Sequence, residues 1–369
     1  MFTLHPYPDA VGAVAVSKDG KVLGLRTGDE VALSDLTTKR TLTELTNAAS
    51  SGLVFAPTGS LLAVASRNAR GNPGVDLWDV NAGKLASTLT HASPVRSLAV
   101  SPDGKLLATF EDKGAVTLVE WASKQTLTNF LVPPPRRGQA GVVVFSPEAS
   151  RLAIGADYGS IQVLNWRTGA ALPIQTGTID GVTALVFSPT AELLAAGFAY
   201  TSGTIRLWDS DSGEPRGKLT DHTGWVSALA FTPDGRLLAS ASVDRTIRVW
   251  NVADQAEVRC LRGHQDQVTS LDFLPDGKTL VSGGADGTVR FWDVTTTNRT
   301  SGPTSLPISF GVTPANLEVQ SFARGALDPK AVHRLGLAFM PDSRQFLTTD
   351  PAGGLGIFRR ALNLSWAGS

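Results

Sequence analysis

Short apolar runs and polar turns alternate along most of the chain, at a spacing that predicts many β-strands. Residues 226–231 repeat with a period of two, which is typical of a strand whose two faces differ. A Pro-Asp-Gly turn follows at residues 233–235. Residues 236–240 are nearly all apolar, as expected of a strand that is covered on both faces. No helical period is sustained, so the pattern predicts an all-β chain.

This strand-turn-strand phrase is an internal repeat. Its third residue falls at positions 18, 57, 102, 147, 189, 233, 275 and 341. Six of the seven intervals lie between 39 and 45 residues, and the last is 66, which indicates an insertion before the eighth copy. A second phrase containing Trp follows the turn in the clearest copies, at Leu77-Trp78-Asp79, Leu207-Trp208-Asp209, Val249-Trp250-Asn251 and Phe291-Trp292-Asp293. Each copy therefore accommodates about four short strands.

Repeats of this length, with a His before the first strand and Trp-Asp after the third, resemble WD40 repeats. The resemblance covers nearly the whole chain, and the units from Asp221 to Asn251 and from Gly263 to Asp293 match best. It implies a β-propeller, because a lone four-stranded sheet cannot cover its own faces and such sheets stack around an axis. It also implies a buried hydrogen-bonded tetrad of His, Ser, Asp and Trp in each good unit. The structural tetrads would be His222, Ser240, Asp244 and Trp250, then His264, Ser282, Asp286 and Trp292.

Eight repeats predict eight blades in one domain that spans residues 1–369. The units cover about 9–45, 48–90, 92–131, 138–175, 179–220, 223–261, 265–306 and 331–361 plus 1–5, with a top-face insertion at about 307–330. Residues 2–5 resemble a fourth strand that runs into the next unit. We therefore expect them to complete the eighth blade and close the ring, which would remove an open sheet edge. Seven blades plus one irregular unit is the alternative.

The composition of the chain restricts where the protein is expected in the cell and which classes of molecule it is expected to bind. The 369 residues carry 33 Lys and Arg against 33 Asp and Glu, so the net charge is zero, which disfavours a largely basic nucleic-acid-binding surface. No apolar run approaches a membrane span, and the first residues lack the pattern of a secretory signal. The one cysteine, Cys260, excludes an internal disulfide and is weakly typical of a reducing compartment. We predict a cytoplasmic protein that binds neither membranes nor nucleic acid.

Loops that precede the first strand of a blade, or join its second and third strands, open on one face of a propeller, called the top face. Five arginines against three carboxylates (Glu111, Asp112 and Asp157) are predicted on this face in units two to four, whereas Asp180, Asp221 and Asp266 are predicted there in units five to seven. Arginine forks suit acidic or phosphorylated peptides. Ordinary solvated loop arginines are the competing interpretation. The candidate partner-binding residues are Trp225, Arg96, Arg67, Arg70, Arg136, Arg137 and Gln267.

Catalytic chemistry finds little support in the sequence. The histidines recur at the repeat period rather than at metal-ligand spacing, so we predict no metal site and no cofactor. Residues 209–214 mimic part of a calcium loop but coincide with a hairpin turn, and Cys260 has no partner that suggests a catalytic thiol. We therefore predict no catalytic residues. A propeller enzyme, or a binder of small ligands or modified peptides in the central channel, is the alternative.

These observations favour a non-catalytic WD40 scaffold that mediates protein-protein interaction through the top face of the propeller. Strand-supported loops on a rigid scaffold are where binding usually resides. The partners would be proteins or peptides, and the expected form is a monomeric disc within a larger assembly or a longer chain. Fold alone does not settle function, so this preference depends partly on the resemblance.

Overall fold

The computed structural model describes residues 2–4, 9–28, 30–38, 40–46, 48–57, 61–67, 71–132, 141–156, 158–190, 192–199, 203–295, 317–321, 337–339, 345–349 and 355–360. Within these residues the chain forms thirty-two β-strands. It divides into two compact units, residues 2–303 and residues 304–369. The single domain expected over residues 1–369 stays a prediction from the sequence.

The first unit contains seven four-stranded antiparallel sheets, each a blade. Blade one comprises β2 (Val11–Val16), β3 (Val22–Thr27), β4 (Glu30–Asp35) and β5 (Arg40–Thr46). Blade two comprises β6 (Ala48–Phe55), β7 (Leu61–Arg67), β8 (Pro73–Asp79) and β9 (Lys84–Thr90). Blade three comprises β10 (Val95–Val100), β11 (Leu106–Glu111), β12 (Ala115–Glu120) and β13 (Thr126–Leu131). In each blade the strands follow one another in chain order, so neighbouring strands pair through short turns.

The remaining blades repeat this order with one exception in the last. Blade four comprises β14 (Val142–Phe145), β15 (Arg151–Gly155), β16 (Ile161–Asn165) and β17 (Ala171–Ile174). Blade five comprises β18 (Val182–Phe187), β19 (Leu193–Phe198), β20 (Ile205–Asp209) and β21 (Pro215–Leu219). Blade six comprises β22 (Val226–Phe231), β23 (Leu237–Ser242), β24 (Thr246–Asn251) and β25 (Ala256–Arg262). Blade seven comprises β26 (Val268–Phe273), β27 (Thr279–Gly284), β28 (Val289–Asp293) and β1 (Phe2–Leu4).

The apolar cores lie between neighbouring blades rather than inside one blade. Leu118 and Phe110 of blade three, for example, share a cluster with Ile154 of blade four. The same arrangement joins blade seven to blade one, where Val281 packs in one cluster with Val11. Each such side chain contributes about 1.5–3 kcal/mol when it is fully buried. Because every blade needs a neighbour on each side, the seven sheets form a closed ring.

The Pro-Asp-Gly turns show independently that the ring closes between blades seven and one. The turn glycine of one blade packs on the turn proline of the blade before it, so a Cβ added at Gly277 would lie 3.4 Å from Pro233 Cδ. In the same way, a Cβ added at Gly20 of blade one would lie 3.2 Å from Pro275 Cδ of blade seven. These glycines have positive φ, which the turn requires.

The prediction of eight blades was wrong. The N-terminal strand β1 pairs antiparallel with β28, and Phe2, Thr3 and Leu4 lie opposite Phe291, Arg290 and Val289. It therefore completes blade seven and not the eighth repeat. The physical reason is that the strand leading into blade one must come from the blade that packs against blade one, and that is blade seven. The error arose because the number of turn motifs was equated with the number of blades.

The eighth repeat forms a sheet of its own within residues 304–369. Its strands are β29 (Leu317–Ser321), β30 (Leu337–Phe339), β31 (Gln345–Thr349) and β32 (Leu355–Arg360), in the order β29-β32-β31-β30. β29 belongs to the segment predicted as a top-face insertion, and it pairs antiparallel with β32. The outermost place of this sheet, which the sequence assigned to residues 2–5, is thus filled by a segment immediately upstream of the repeat.

A carboxylate lies at the seam between blades seven and one. Asp272 Oδ2 of β26 accepts a hydrogen bond from the backbone N–H of Val16, at 2.8 Å. Burial raises the pKa of Asp272 from its ordinary value of 3.8 to about 6, against the opposing effect of the Val16 and Phe273 N–H groups. The folded protein therefore holds a proton here more tightly than the unfolded chain does.

We expect this carboxylate to make stability depend on pH. Because the pKa of Asp272 is higher in the folded protein than in the unfolded chain, the neutral acid raises the unfolding free energy. This stabilisation is fully present below the ordinary pKa and is lost as the pH rises through the folded-state pKa. Relative to Asp272→Asn, wild-type protein should lose about 1–3 kcal/mol of unfolding free energy between about pH 4 and pH 7. Urea titrations of both proteins across this range measure the difference. Parallel pH profiles would contradict the assignment.

We also expect the closure by β1 to be visible in hydrogen exchange. Deleting residues 2–4 exposes the edge of β28, so amides at residues 289–291 should exchange faster and the melting temperature should fall by several degrees. Amides of β32 serve as the internal control and should keep their exchange rates. Faster exchange in β32 with unchanged exchange in β28 would instead support closure through the eighth repeat.

Candidate functional site

The top face of blade six is supported by a buried polar chain. The indole Nε1–H of Trp250 donates to Ser240 Oγ at 2.8 Å, and Ser240 Oγ lies 2.8 Å from His222 Nε2. His222 Nδ1 lies 2.8 Å from Asp244 Oδ2. Because the Asp244 carboxylate only accepts, the Nδ1–H of His222 donates to it, and in that neutral tautomer Nε2 accepts the proton of the Ser240 hydroxyl. The tetrad fixes the turn that follows β23 relative to the loop that precedes β22.

Blade seven repeats this arrangement with nearly the same geometry. Trp292 Nε1–H donates to Ser282 Oγ at 2.8 Å, Ser282 Oγ lies 2.7 Å from His264 Nε2, and His264 Nδ1 lies 3.0 Å from Asp286. Burial lowers the pKa of His264 more than the Asp286 carboxylate raises it, so the imidazole is neutral. Burial opposes ionisation of Asp286, but hydrogen bonds led by the Gln265 N–H outweigh it and lower its pKa. The structure thus joins all eight residues proposed for the tetrads.

Blade three uses a different residue for the carboxylate. Glu111, two residues after Thr109, is only 4% exposed, and its Oε1 lies 3.1 Å from His91 Nδ1. Its Oε2 accepts hydrogen bonds from the N–H and hydroxyl of Ser93, at 2.9 and 3.0 Å. The sequence placed Glu111 among the top-face charges, but its carboxylate is buried against its own blade. Thr109 Oγ1 and Trp121 Nε1 are buried without a hydrogen-bond partner among the described residues.

A second set of hydrogen bonds joins the innermost strands of adjacent blades. A bulge follows the first residue of these strands, as between Val226 and Ala228, and leaves the bulged side chain free to reach the next blade. In three consecutive blades this residue carries a hydroxyl that donates to the first carbonyl of the neighbour. The pairs are Thr183 to Val226 O, Ser227 to Val268 O and Thr269 to Val11 O. Blade one has Gly12 at this place and blade three has Arg96.

The predicted partner-binding residues fall into three groups. Trp225 is 41% exposed at the start of blade six, and Gln267 is exposed at the same place in blade seven. Arg67 is exposed at the end of β7. Arg96 is engaged within its own blade, because its guanidinium pairs with the Asp112 carboxylate. Arg70, Arg136 and Arg137 lie outside the described residues.

The carboxylates predicted on the top face also differ from one another. Asp180 is only 7% exposed and accepts a hydrogen bond from the Thr178 hydroxyl at 2.7 Å. Asp221 lies 4.0 Å from an Arg248 nitrogen and keeps a side chain that is 57% exposed. Asp266 is exposed. The described top face of blades five to seven therefore combines an aromatic side chain with two exposed carboxylates.

The segment that mimics part of a calcium loop and the thiol of Cys260 are the other candidates for chemistry. Asp209 Oδ1 accepts the backbone N–H groups of Asp211 and Ser212, at 3.1 and 2.9 Å, which makes this segment a hairpin turn. Burial raises the pKa of the Cys260 thiol, which disfavours the reactive thiolate. Among the described residues, no three His, Cys, Asp or Glu side chains lie close enough together to hold a metal ion. In that same part of the chain, no helix has the length and apolarity needed to cross a membrane.

The repeats that form several of these blades match a known family model. The family model for the WD domain, G-beta repeat, matches residues 83–115, 172–209, 213–251 and 255–293. Each match begins at or near the outermost strand of one blade, and the last three end with the Trp-Asp strand of the next. WD40 repeats are therefore present at four positions of this chain, over less than half of its residues. The matched repeat is thus offset by one strand from the structural blade, which is the same offset that assigns β1 to blade seven.

Three relatives are similar to part of this chain. Telomerase protein component 1 of Mus musculus is 27% identical over 112 residues, which is 30% of this chain and 4% of the mouse protein. The protein of the same name in Rattus norvegicus is 28% identical over 114 residues, again 30% and 4%. SVP1-like protein 2 of Emericella nidulans is 30% identical over 99 residues, which is 26% of this chain and 30% of the fungal protein. The chain therefore spans less than a third of each of these relatives.

Several structural features of the site escaped the sequence analysis. The tetrad pattern places the carboxylate four positions after the hydroxyl, so it did not identify Glu111 as the partner of His91. The signal that could have found it is an acidic residue two positions after Thr109. The inter-blade hydroxyls have a sequence signal, since Thr or Ser follows the first Val of the strand in blades five to seven. The exposure of Tyr158 (58%) and Ile179 (80%) has no such signal, because it depends on how the top loops of blade four pack.

The tetrads give a stability prediction with a matched control. Ser240→Ala removes the partner of both the Trp250 indole and the His222 imidazole, so the unfolding free energy should fall by about 2–4 kcal/mol. Thr109→Val in blade three removes a buried hydroxyl that has no partner among the described residues, so stability should stay within about 1 kcal/mol. Chemical denaturation measures both. Equal losses would mean that the tetrad hydrogen bonds contribute no more than side-chain packing.

Proposed function

We propose that this WD40 propeller is a non-catalytic scaffold that binds other proteins through its top face. The observation that carries the proposal is Trp225, a large aromatic side chain that is 41% exposed at the start of an innermost strand. Exposed Trp is the residue type that most often anchors protein interfaces. It lies on blade six, whose tetrad and inter-blade hydroxyl hold the surrounding loops in one arrangement.

Rigidity supports this role because binding to a preformed surface has a lower ordering cost. The Ser227 hydroxyl, two residues after Trp225, donates to the backbone of blade seven, and the Val243 N–H donates to the Trp225 carbonyl at 3.1 Å. The indole is thus presented from a backbone that is tied on two sides. Gln267 on blade seven adds an exposed carboxamide at the corresponding position.

The comparisons support a role within an assembly. The names of two relatives describe a protein component of telomerase. We propose by analogy that this chain also acts as one component among several proteins. The similarity covers 4% of those relatives, so it supports only the general class of role.

The chemistry of the partner and the cellular location remain proposals. The expected acidic or phosphorylated partner depends on arginines of blades two to four, and Arg96 already pairs with Asp112. Arg67 is the exposed arginine of that set within the described residues. A cytoplasmic location stays a prediction from the sequence, as does the monomeric state.

The Trp225 surface is testable by affinity purification of the tagged full-length chain from its native source. Trp225→Asp should reduce the recovery of specific partner proteins at least about tenfold, since hot-spot aromatic residues contribute about 2 kcal/mol or more. Leu127→Asp is a matched control, because Leu127 is 46% exposed on the outer strand of blade three. Recovery of the same partners with both variants would reject the Trp225 surface. Loss with both variants would reject its specificity.

A further inference from the structure

A groove at the outer part of blade four is a second candidate site, on a different blade from Trp225. It has a volume of ≈ 780 Å³ and lies between the turn that joins β15 to β16 and the loop from Gln175 to Asp180. The cross-strand pair Ile161 and Ile174 contributes to its lining, and both side chains are buried in the core. The groove therefore continues the apolar core outward instead of lying on a polar surface.

Two exposed apolar side chains stand among the residues that line the groove. Tyr158 is 58% exposed and Ile179 is 80% exposed. Most exposed apolar residues of a monomer are scattered singly, whereas an aromatic and a branched aliphatic side chain beside one groove form a place where apolar surface is buried upon binding. The contact would be made by a bulky apolar side chain of the ligand.

The walls of this groove are preformed. The Thr176 hydroxyl donates to the Gly159 carbonyl at 2.8 Å, and Thr176 is buried. Gly159 is required for this approach, because a Cβ there would lie 2.3 Å from the Thr178 carbonyl oxygen. The turn and the loop are thus locked together at their base, so a ligand does not have to order them.

Tyr158 occupies a backbone conformation that disfavours tyrosine. Its φ is 57°, and the next residue, Gly159, has a φ of 63°. The corresponding turns of blades three, six and seven have a single residue with positive φ, at Gly114, Arg245 and Gly287. Positive φ is costly for a bulky side chain, and Asn-Gly is the sequence that suits two successive left-handed residues. The turn therefore sacrifices some stability to hold an aromatic ring at the groove.

The charge of the groove restricts its ligand. Of the residues that line it, Asp180 alone has an acidic side chain, and its carboxyl group is buried and accepts a hydrogen bond from the Thr178 hydroxyl. No Lys or Arg is among the lining residues, and the neighbouring Arg206 guanidinium is engaged with the Thr176 carbonyl, so the groove does not suit phosphate or nucleic acid. Gln162 and Gln175 supply carboxamides that both donate and accept, which matches the amide groups of a peptide backbone. Pro173 lacks an N–H, so strand addition along β17 is a poorer fit.

We propose that this groove binds an extended, uncharged segment of a partner protein, with one bulky apolar side chain held between Tyr158 and Ile179. The groove is lined by top-face loops, so the inference rests on the proposed function and names a second surface for it, to which neither Trp225 nor the arginines of blades two to four contribute. A phosphorylated segment, or a second copy of this chain, is the competing occupant.

The test uses the full-length chain and a phage-displayed library of random linear 12-residue peptides. Peptides selected on the wild-type protein and counter-selected on Ile179→Asp should contain a bulky apolar residue in an uncharged stretch. Synthetic versions should bind wild type, Trp225→Asp and Leu131→Asp equally, because Leu131 is 86% exposed on blade three and serves as the matched control. Binding to Ile179→Asp should fall at least about tenfold.

Tyr158→Asn gives a readout that a purely structural role would not produce. It creates an Asn-Gly turn, so the melting temperature should rise, by about 2 °C, while peptide binding falls at least about tenfold. A lower melting temperature with unchanged binding would overturn the role assigned to Tyr158.

The remaining outcomes overturn the proposal itself. The first is that selection yields no peptide whose binding is weakened by Ile179→Asp, and the second is that it yields only charged or phosphate-mimicking peptides. The third is that light scattering shows a wild-type dimer that becomes a monomer in Ile179→Asp. Loss of peptide binding in Trp225→Asp would place the ligand on the Trp225 surface instead. Normal peptide binding by Trp225→Asp, combined with unchanged partner recovery in the affinity purification, would reject the Trp225 surface and leave the groove intact.

Discussion

The structure depends on closing a ring at the seam between blades seven and one, where strands from both ends of the first unit meet in one sheet. Blades one to seven follow one another along the chain, but blade seven is completed by the N-terminal strand β1, and its side chains pack against blade one. Val11 and Val281 supply the apolar contact, Val16 and Asp272 the hydrogen bond, and β1 the last strand of blade seven. Without that strand, β28 would have an open edge, which is where sheets pair with foreign strands.

Side-chain hydrogen bonds within and between the blades are distributed unevenly around the ring. Blades six and seven have complete tetrads, and the hydroxyls of blades five, six and seven each bind the next blade. These blades also match the family model over whole repeats, whereas the match at residues 83–115 covers part of blade three. Blade three replaces the tetrad carboxylate by Glu111 and has buried polar atoms without partners among the described residues. The top face is therefore best ordered where Trp225 is presented.

The two proposed sites use the fold in different ways. Trp225 lies where the propeller is most firmly tied, so its surface is rigid at no evident cost. Tyr158 lies on a turn whose backbone disfavours it, although the Thr176 hydrogen bond locks that turn to the facing loop. Strain of this kind persists where the surrounding structure fixes it, and it is often associated with binding.

Local sequence determined the strands, the turns and the tetrads, because a period of two, a Pro-Asp-Gly turn and a His-Ser-Asp-Trp spacing act within one repeat. His222 and Trp250, for example, are recognisable without knowledge of any other blade. The number of blades, the partner of β1 and the sheet built by β29 were decided only in three dimensions, because ring closure depends on packing between residues such as Val11 and Val281, which are far apart in sequence. The blade-four groove likewise required two loops to meet, which no pattern within one repeat specifies.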